Sequence, residues 1–381
     1  MISDVVIAGA GIGGLTLAVA LKRRGVRVTH IEREAEVRPA GAGLVLSPNA
    51  VVALKQLGLA EATLEVGAVI NRSAIRDAAG RPLGAEIDVA LLSRDLGAPI
   101  VALHRAKLHE VLLHAVGRDT VHLGVAISRY EQDTDGVAVL CSNGARMETS
   151  LLVGADGLRS TVRAQLVGDG EPAYAGYTSW RGVTPTGAVP RPIRMSESWG
   201  HGERFGIVDI GFGQIYWFAV ANAPPGGSDG DVRRELLLRF GGWHEPVRAI
   251  IEATPAAQIL RTDISDRRPI HRWHDGRVAL LGDAAHPMTP NLGQGAGQAI
   301  EDAVALDRCL ADTDDLDLAL RRFEVLRCDR ANRMVRGSRA LGALGQLQNP
   351  VAVWLRNTVM RLTPASVALG QARRMMRNSA A

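Results

Sequence analysis

The chain begins its pattern with an unbroken apolar run, Val5-Val6-Ile7-Ala8, too short for a helix and without a polar face. That is the signature of a strand buried on both sides. Gly9-Ala10-Gly11-Ile12-Gly13-Gly14 follows, and residues 15–24 then place Leu17, Ala20 and Leu21 on one helical face before Gly25 stops them. Residues 28–31 form a second apolar run that ends at Glu32. Strand, helix and strand in this order predict a parallel β-α-β unit, and hence a doubly wound sheet.

The period then changes. Residues 126–131, 137–141 and 145–149 read as strands separated by Thr134-Asp135-Gly136 and Asn143-Gly144, which are hairpin turns. Leu151-Leu152-Val153 runs into Gly154-Ala155-Asp156-Gly157. Between 174 and 266 further strands are predicted, among them 205–210 and 214–220. The same stretch gathers Trp180, Trp199, Tyr216, Trp217, Phe218 and Trp243. Aromatic residues make up only 4% of the chain, so this concentration predicts a pocket for an organic molecule there. Residues 277–281 return as a buried strand, and helices are predicted over about 297–311 and 316–341. Asn349-Pro350 reads as the cap and first turn of another, with Val351, Trp354, Leu355, Val359 and Leu362 along one face.

Composition narrows the class. The 381 residues are 46% hydrophobic and 22% charged, which is a folded protein of about two domains rather than a disordered chain. The net charge is +4, and the basic residues interleave with 40 acidic ones without a basic block, so nucleic acid is not expected as a partner. Of the 44 basic residues only Lys22, Lys55 and Lys107 are lysines; the rest are arginines, suited to carboxylates and phosphates. The three cysteines, Cys141, Cys309 and Cys328, have neither metal nor redox spacing, so no metal site is expected. No basic lead precedes the first apolar run and no stretch is apolar enough to span a bilayer, which fits the cytoplasm.

Three motifs carry chemistry. In the first, Gly9 permits a tight turn after the strand, Gly11 lets the backbone approach a pyrophosphate, and Gly14 lets the helix pack closely on the sheet. The helix N-terminus then faces the phosphates, and Glu32, 18 residues after Gly14, can accept ribose hydroxyls. This order points to a dinucleotide but does not separate FAD from NAD. The second motif, Gly154-Ala155-Asp156-Gly157-Leu158-Arg159-Ser160, reads by itself more readily as an ordinary turn with a capping Asp than as a site. The third delivers Asp283 from a buried strand into Gly282-Asp283-Ala284-Ala285-His286-Pro287. Pro290-Asn291-Leu292-Gly293-Gln294-Gly295 follows and opens a helix whose N-terminus can stabilise negative charge.

With all three motifs in order, residues 1–340 resemble the single-component FAD-dependent aromatic hydroxylases of the para-hydroxybenzoate hydroxylase type. The likeness is greatest to the branch that acts on salicylate, 3-hydroxybenzoate, 6-hydroxynicotinate and urate. It implies an α/β fold with α+β elements: a Rossmann-like FAD-binding domain, a β-sheet substrate domain and C-terminal helices. The FAD-binding domain would be discontinuous, from 1–70, 100–173 and 267–340; the substrate domain would comprise 71–99 and 174–266, with a helical segment over 341–381. It implies that Gly9, Gly11, Gly13 and Gly14 hold the FAD pyrophosphate, with Glu32 and Arg33 at the adenosine end. Arg105 would lie near the phosphates and ribityl chain, Asp156 and Gly157 where FAD meets the nicotinamide donor, and Asp283 beside the ribityl chain. Gly293, Gly295 and Ala296 would line the isoalloxazine, with Pro290 on the substrate side.

The implied reaction takes a hydride from NADH or NADPH, forms a flavin C(4a)-hydroperoxide with dioxygen, and hydroxylates a small aromatic or heteroaromatic substrate. The alternatives are a larger apolar natural product (terpenoid, carotenoid, polyketide or quinolone), or a flavin reductase without oxygen insertion. Tyr216 and Arg204 are the leading candidates for substrate activation, Arg204 as a bidentate partner of an anionic substrate. Asp209 and His201 stand behind them, and His286 is expected to be structural. The face bearing Trp354 is expected to pack on the FAD-binding domain, with peripheral membrane contact as the alternative. A monomer or homodimer is expected.

Overall fold

The computed structural model describes residues 2–36, 42–189 and 195–377. Its centre is a six-stranded sheet in the order His274–Asp275, Val278–Leu280, Leu151–Gly154, Asp4–Ala8, Arg27–Glu32, Val121–Leu123. All neighbours are parallel except the first pair. The apolar runs read from the sequence are the central strands, buried because Ile12–Arg23 and Gly295–Ala311 pack against them. The first helix starts at Ile12, inside the glycine turn and earlier than apolar spacing alone predicts. Gly13 and Gly14 are helical despite their poor propensity, because the Leu281 and Ala299 side chains at Gly13 and the Gly9 carbonyl at Gly14 leave no room for a side chain.

The hairpins fall where the turn signals place them, as Ile127–Gln132, Val137–Cys141 and Arg146–Thr149 in one antiparallel sheet. A seven-stranded sheet runs Leu260–Asp266, Ala173–Val183, Ile215–Asn222, Glu203–Asp209, Met195–Trp199, Arg72–Asp77, Ile87–Asp88. A small sheet of Gly43–Leu46, Ile100–His104 and Gly67–Ile70 also forms, and Gly43 abuts Tyr216 of the seven-stranded sheet.

Strand alternation corrects the expectation that the clustered aromatics line one pocket. Trp180, Phe205 and Trp217 point to the back of the large sheet, where Phe205 stacks on Trp217 at 5.5 Å and meets Phe240 of the helix Val232–Phe240. They are core. Of the aromatics on the neighbouring strands 173–183 and 215–222, Tyr177, Tyr216 and Phe218 take the other face.

A second correction concerns the C-terminus. Asn349 caps Pro350–Leu362 as predicted, its Oδ1 accepting from the Val351 and Ala352 amides. The helix, however, buries Val353 and Arg356, not the face bearing Trp354. Arg356 donates to the carbonyls of Gly200, Leu344 and Gly345 and lies over the Trp199 ring. Among the described residues no helix is long and apolar enough to cross a membrane.

Candidate functional site

Four parallel strands end side by side: Ala8 is paired with Ile31 and Gly154, and Gly154 with Leu280. The three glycine-bearing turns therefore leave the sheet at one edge, where open α/β sheets bind ligands. They touch closely enough to forbid side chains. Gly9 has φ +100°, and a Cβ there would lie 2.4 Å from the Ala155 carbonyl oxygen. One on Gly14 would lie 2.2 Å from the Gly9 carbonyl oxygen, and one on Gly13 2.6 Å from Leu281 Cδ2. Gly11 is different: nothing lies within 4 Å of where its Cβ would be. It is the N-cap of Ile12–Arg23 and leaves the first-turn amides without a side-chain cap. Free amides, a helix dipole and an open space that one methyl group would fill make a phosphate cradle.

The turn is held from below. Buried His30, its pKa lowered by desolvation and so neutral, donates from Nε2 to the Gly9 carbonyl at 2.8 Å. The Ala10 amide donates to Glu32 Oε2 at 2.7 Å and the Glu34 amide to Oε1 at 3.0 Å. Each Glu32 oxygen keeps acceptor capacity for a hydroxyl. Arg33 is exposed, and its partner is Glu34 at 3.7 Å rather than a group of the glycine turn.

The second motif is both a capped turn and a site. Gly157 has φ +82°, and Asp156 Oδ2 accepts from the Thr161 amide at 2.7 Å. Asp156 Oδ1 is buried without a partner, and burial raises the carboxyl's pKa. A buried acceptor facing a nucleotide cradle is what a ligand hydroxyl or amide would complete. The side chains that fix this motif to the third are ones sequence reasoning did not single out. Buried Arg163 donates to the Ala284 and Ala285 carbonyls at 3.1 and 2.8 Å and pairs with Asp169, which also holds Arg267. Arg163 follows Asp156 by seven residues, in the first turn of the helix Thr161–Val167 that the motif opens.

In the third motif Asp283 is exposed to the cleft yet set deep between its walls. Desolvation raises its pKa, against the pull of His286 and Arg105. A Cβ on Gly295 would stand 3.9 Å from Asp283 Oδ1, and Gly293, at φ +62°, meets nothing. Gly295–Ala311 starts here with Ala296 in its first turn and no side-chain cap, so its amides face the same cleft edge as Asp283. Pro290 opens the single turn Pro290–Leu292 before it. Arg105 is exposed as the first residue of Arg105–Val116, and its charge opposes the desolvation that raises the pKa of Asp283 and of Tyr216. Asp283→Ala is expected to lose bound flavin or slow its reduction roughly tenfold, the size of one charge-assisted hydrogen bond. Flavin absorbance and rapid-mixing reduction check this; full flavin content with normal turnover contradicts it.

His286 lies fully buried behind this edge. Its Nε2 meets Asp302 Oδ2 at 2.5 Å, and Asp302 Oδ1 accepts from Arg327 at 2.7 Å. Asp302 Oδ2 also receives the Gly282 amide at 3.1 Å, so the network shapes the turn that presents Asp283. This is a structural place for His286, as expected.

On the front of the seven-stranded sheet, Val208 is opposite Tyr216 and Arg204 is opposite Val220. Tyr216 and Arg204 thus share a face but stand about 13 Å apart along the strands. Phe218 lies between them, over Gly206, where a Cβ would come within 2.1 Å of its ring. Tyr216 packs on Gly43, and burial raises its phenol's pKa despite Arg181 and Arg105. Arg204, 2% exposed, donates to Gln346 Oε1 at 2.8 Å, Glu197 Oε1 at 3.1 Å and Asn291 Oδ1 at 2.6 Å. Asn291 in turn donates to Tyr177, Thr289 and Ser338. Asp209 caps a hairpin turn through the Gly211 amide at 2.9 Å, and His201 is exposed near Gln348; neither joins the Phe218 face. The cavity beside Asp4, Asp133 and Arg146 lies at the opposite, N-terminal edge of the parallel strands.

The open cradle at Gly11, the ribose-ready Glu32, the unpartnered Asp156 oxygen and the uncapped helix at Gly295 fit FAD. The chain belongs to the FAD binding domain family, matched over residues 3–201 and 243–319, and is an FAD-dependent monooxygenase of the aromatic hydroxylase type. It is 48% identical over 359 residues, 94% of each chain, to the aurachin C monooxygenase/isomerase of Stigmatella aurantiaca. It is 35% identical over 371 residues, again 94% of each, to the 2-heptyl-3-hydroxy-4(1H)-quinolone synthase of Pseudomonas aeruginosa. The crystal structure of Klebsiella pneumoniae HpxO with FAD and uric acid superimposes at a TM-score of 0.92, with 31% identity over 98% of this chain and 96% of that one.

Proposed function

We propose that the enzyme takes electrons from NADH or NADPH and uses dioxygen to place one oxygen atom on a neutral, fused N-heteroaromatic ring of the quinolone class. The observation that carries this reading is the state of Arg204. An anionic substrate such as urate needs an uncompensated cation. Here the guanidinium is buried and its charge is met by Glu197 at 3.1 Å, while Nε and Nη2 each donate to a side chain of the protein, Gln346 and Asn291. Arg204 is better suited to positioning Asn291 beside the flavin turn than to binding a carboxylate or a urate anion. This replaces the bidentate role that the sequence suggested. The same face carries Phe218 and Val220, with Arg181 and Ser179 opposite them on the neighbouring strand and Tyr216 at one end. The quinolone synthase, by its name, makes a hydroxylated ring of this kind, and the aurachin C enzyme is the more similar relative.

FAD, when bound, supplies the dioxygen chemistry that side chains lack. The chain's residues do the rest. Gly11 and the helix behind it bind the phosphates, and Glu32 the ribose. The amides at Gly295 support negative charge on the ring system. Tyr216 keeps its proton at neutral pH because burial raises its pKa, so Oη donates a hydrogen bond to the substrate rather than removing a proton. Phe218 and Val220 keep water off the ring. Tyr216→Phe is expected to leave FAD bound and to lower the fraction of NAD(P)H consumption that yields product, by several-fold. Hydrogen peroxide release measured against product reads this; unchanged coupling removes Tyr216 from the role. The reading itself is tested by a panel of 2-alkyl-4-quinolones, urate and salicylate, scored by stimulated NAD(P)H oxidation and product mass.

A further inference from the structure

The helix Pro350–Leu362 carries an apolar face that none of the described residues covers. Trp354 is 65% exposed, and Val351, Leu355, Val359 and Leu362 are exposed with it. Their three- and four-residue spacing puts them on one stripe, opposite buried Val353 and Arg356. A stripe of five large apolar residues including a tryptophan is more than the scattered exposure of an ordinary surface. The charge beside it is one-sided. From Arg330 onward the sequence has nine arginines and no Asp, Glu or Lys, although Arg330 and Arg356 are buried and Arg339 is paired with Asp266. On Ala365–Met376 and the residue that follows it, Arg374 and Arg377 are exposed and have no ion pair among the described residues. The acidic neighbours Asp77 and Asp95 are already taken up by Arg361 and Arg373.

We propose that this face docks the enzyme on an anionic lipid bilayer, with the Trp354 stripe in the headgroup region and the arginines against lipid phosphates. A tryptophan-bearing apolar stripe beside exposed arginines, on a segment that itself has no acid, is the pattern of an interfacial helix. The helix that follows the stripe also reaches the candidate pocket. Leu369, Ala372 and Met376 of the next helix pack into the same apolar cluster as Tyr216, Val208 and Val183. An alkyl-bearing substrate dissolved in the bilayer would therefore meet the protein beside Tyr216. The docking is separable from the substrate reading: the face needs no substrate to bind lipid.

The test is vesicle co-sedimentation of the FAD-loaded full chain, wild type and Trp354→Glu/Leu362→Glu. Vesicles of phosphatidylcholine alone are compared with vesicles containing phosphatidylglycerol. Wild type should bind the anionic vesicles at least about tenfold more tightly than neutral ones, and less as salt is raised. The double variant should lose that binding by about tenfold or more while keeping its flavin spectrum and its vesicle-free NAD(P)H oxidation. No sedimentation with anionic vesicles overturns the proposal, as does equal binding by the double variant. A dimer in light scattering that the double variant dissolves, with no vesicle binding, assigns the face to a second copy and also overturns it.

Discussion

Gly11→Val is expected to leave the chain folded and to strip it of FAD. The backbone there is extended, φ −72° and ψ 178°, which valine adopts readily, and apart from its chain neighbours no described residue comes within 4 Å of the new Cβ. The fold should therefore lose only about 1 kcal/mol, from a poorer helix cap. The added carbons occupy the space over the first-turn amides that a pyrophosphate needs, so FAD affinity should fall by about 100-fold or more, the equivalent of ~3 kcal/mol. Gly14→Val provides the contrast. Its Cβ would meet the Gly9 carbonyl oxygen at 2.2 Å, so that variant should fail as a folded protein. Circular dichroism of the flavin-stripped proteins and fluorescence titration with FAD separate the two effects. A yellow Gly11→Val protein with ordinary affinity contradicts the cradle.

Arg327→Leu should be the most damaging change away from the cleft. Arg327 is fully buried, bonded to Asp302 at 2.7 Å, Glu301 at 3.0 Å and Gln298 Oε1 at 2.8 Å. Leucine leaves two buried carboxylates short of their counter-charge, which costs about 3–5 kcal/mol. Arg327→Lys should restore only part of this, because one ammonium cannot serve three acceptors in a planar fork. The network also has a pH signature. Burial alone would raise the Asp302 pKa, but His286 and Arg327 hold it down to about 2, below the ordinary value of 3.8. Its stabilisation is therefore complete above the ordinary value and disappears as pH falls through about 2. The difference amounts to ~2 kcal/mol at neutral pH. Urea melts between pH 3 and 7 should show wild type losing stability toward the acid end more steeply than Arg327→Leu. Parallel curves contradict the assignment.

Much of the cofactor half of the site was legible in the sequence because its constraints are local. A glycine that must lie against a neighbouring carbonyl, as Gly9 does against Ala155, leaves its mark within a few residues of a strand end. The acid at Glu32 and the Asp283 turn follow by spacing from strands that announce themselves as apolar runs. The substrate half was less legible because its determinants are distant in sequence. That Arg204 is neutralised by Glu197, seven residues away across a hairpin, and tied to Asn291 and Gln346 on other elements emerges only when the sheet is assembled. The aromatic cluster misled for a related reason: composition counts Trp180 and Trp217, but alternation turns both to the back. The exposed face at Trp354 has the periodicity of a buried helix, and periodicity alone does not say whether a partner is present.

The most direct measurement of the central claim follows the fate of dioxygen. Purified FAD-loaded enzyme, NAD(P)H, isotopically labelled dioxygen and a neutral 2-alkyl-4-quinolone should consume one dioxygen per reduced nicotinamide. The product should carry one labelled oxygen on the ring, while urate leaves NAD(P)H oxidation at its basal rate. Stimulation and labelling by urate with none by the quinolone, or consumption that ends only in hydrogen peroxide, would contradict the account.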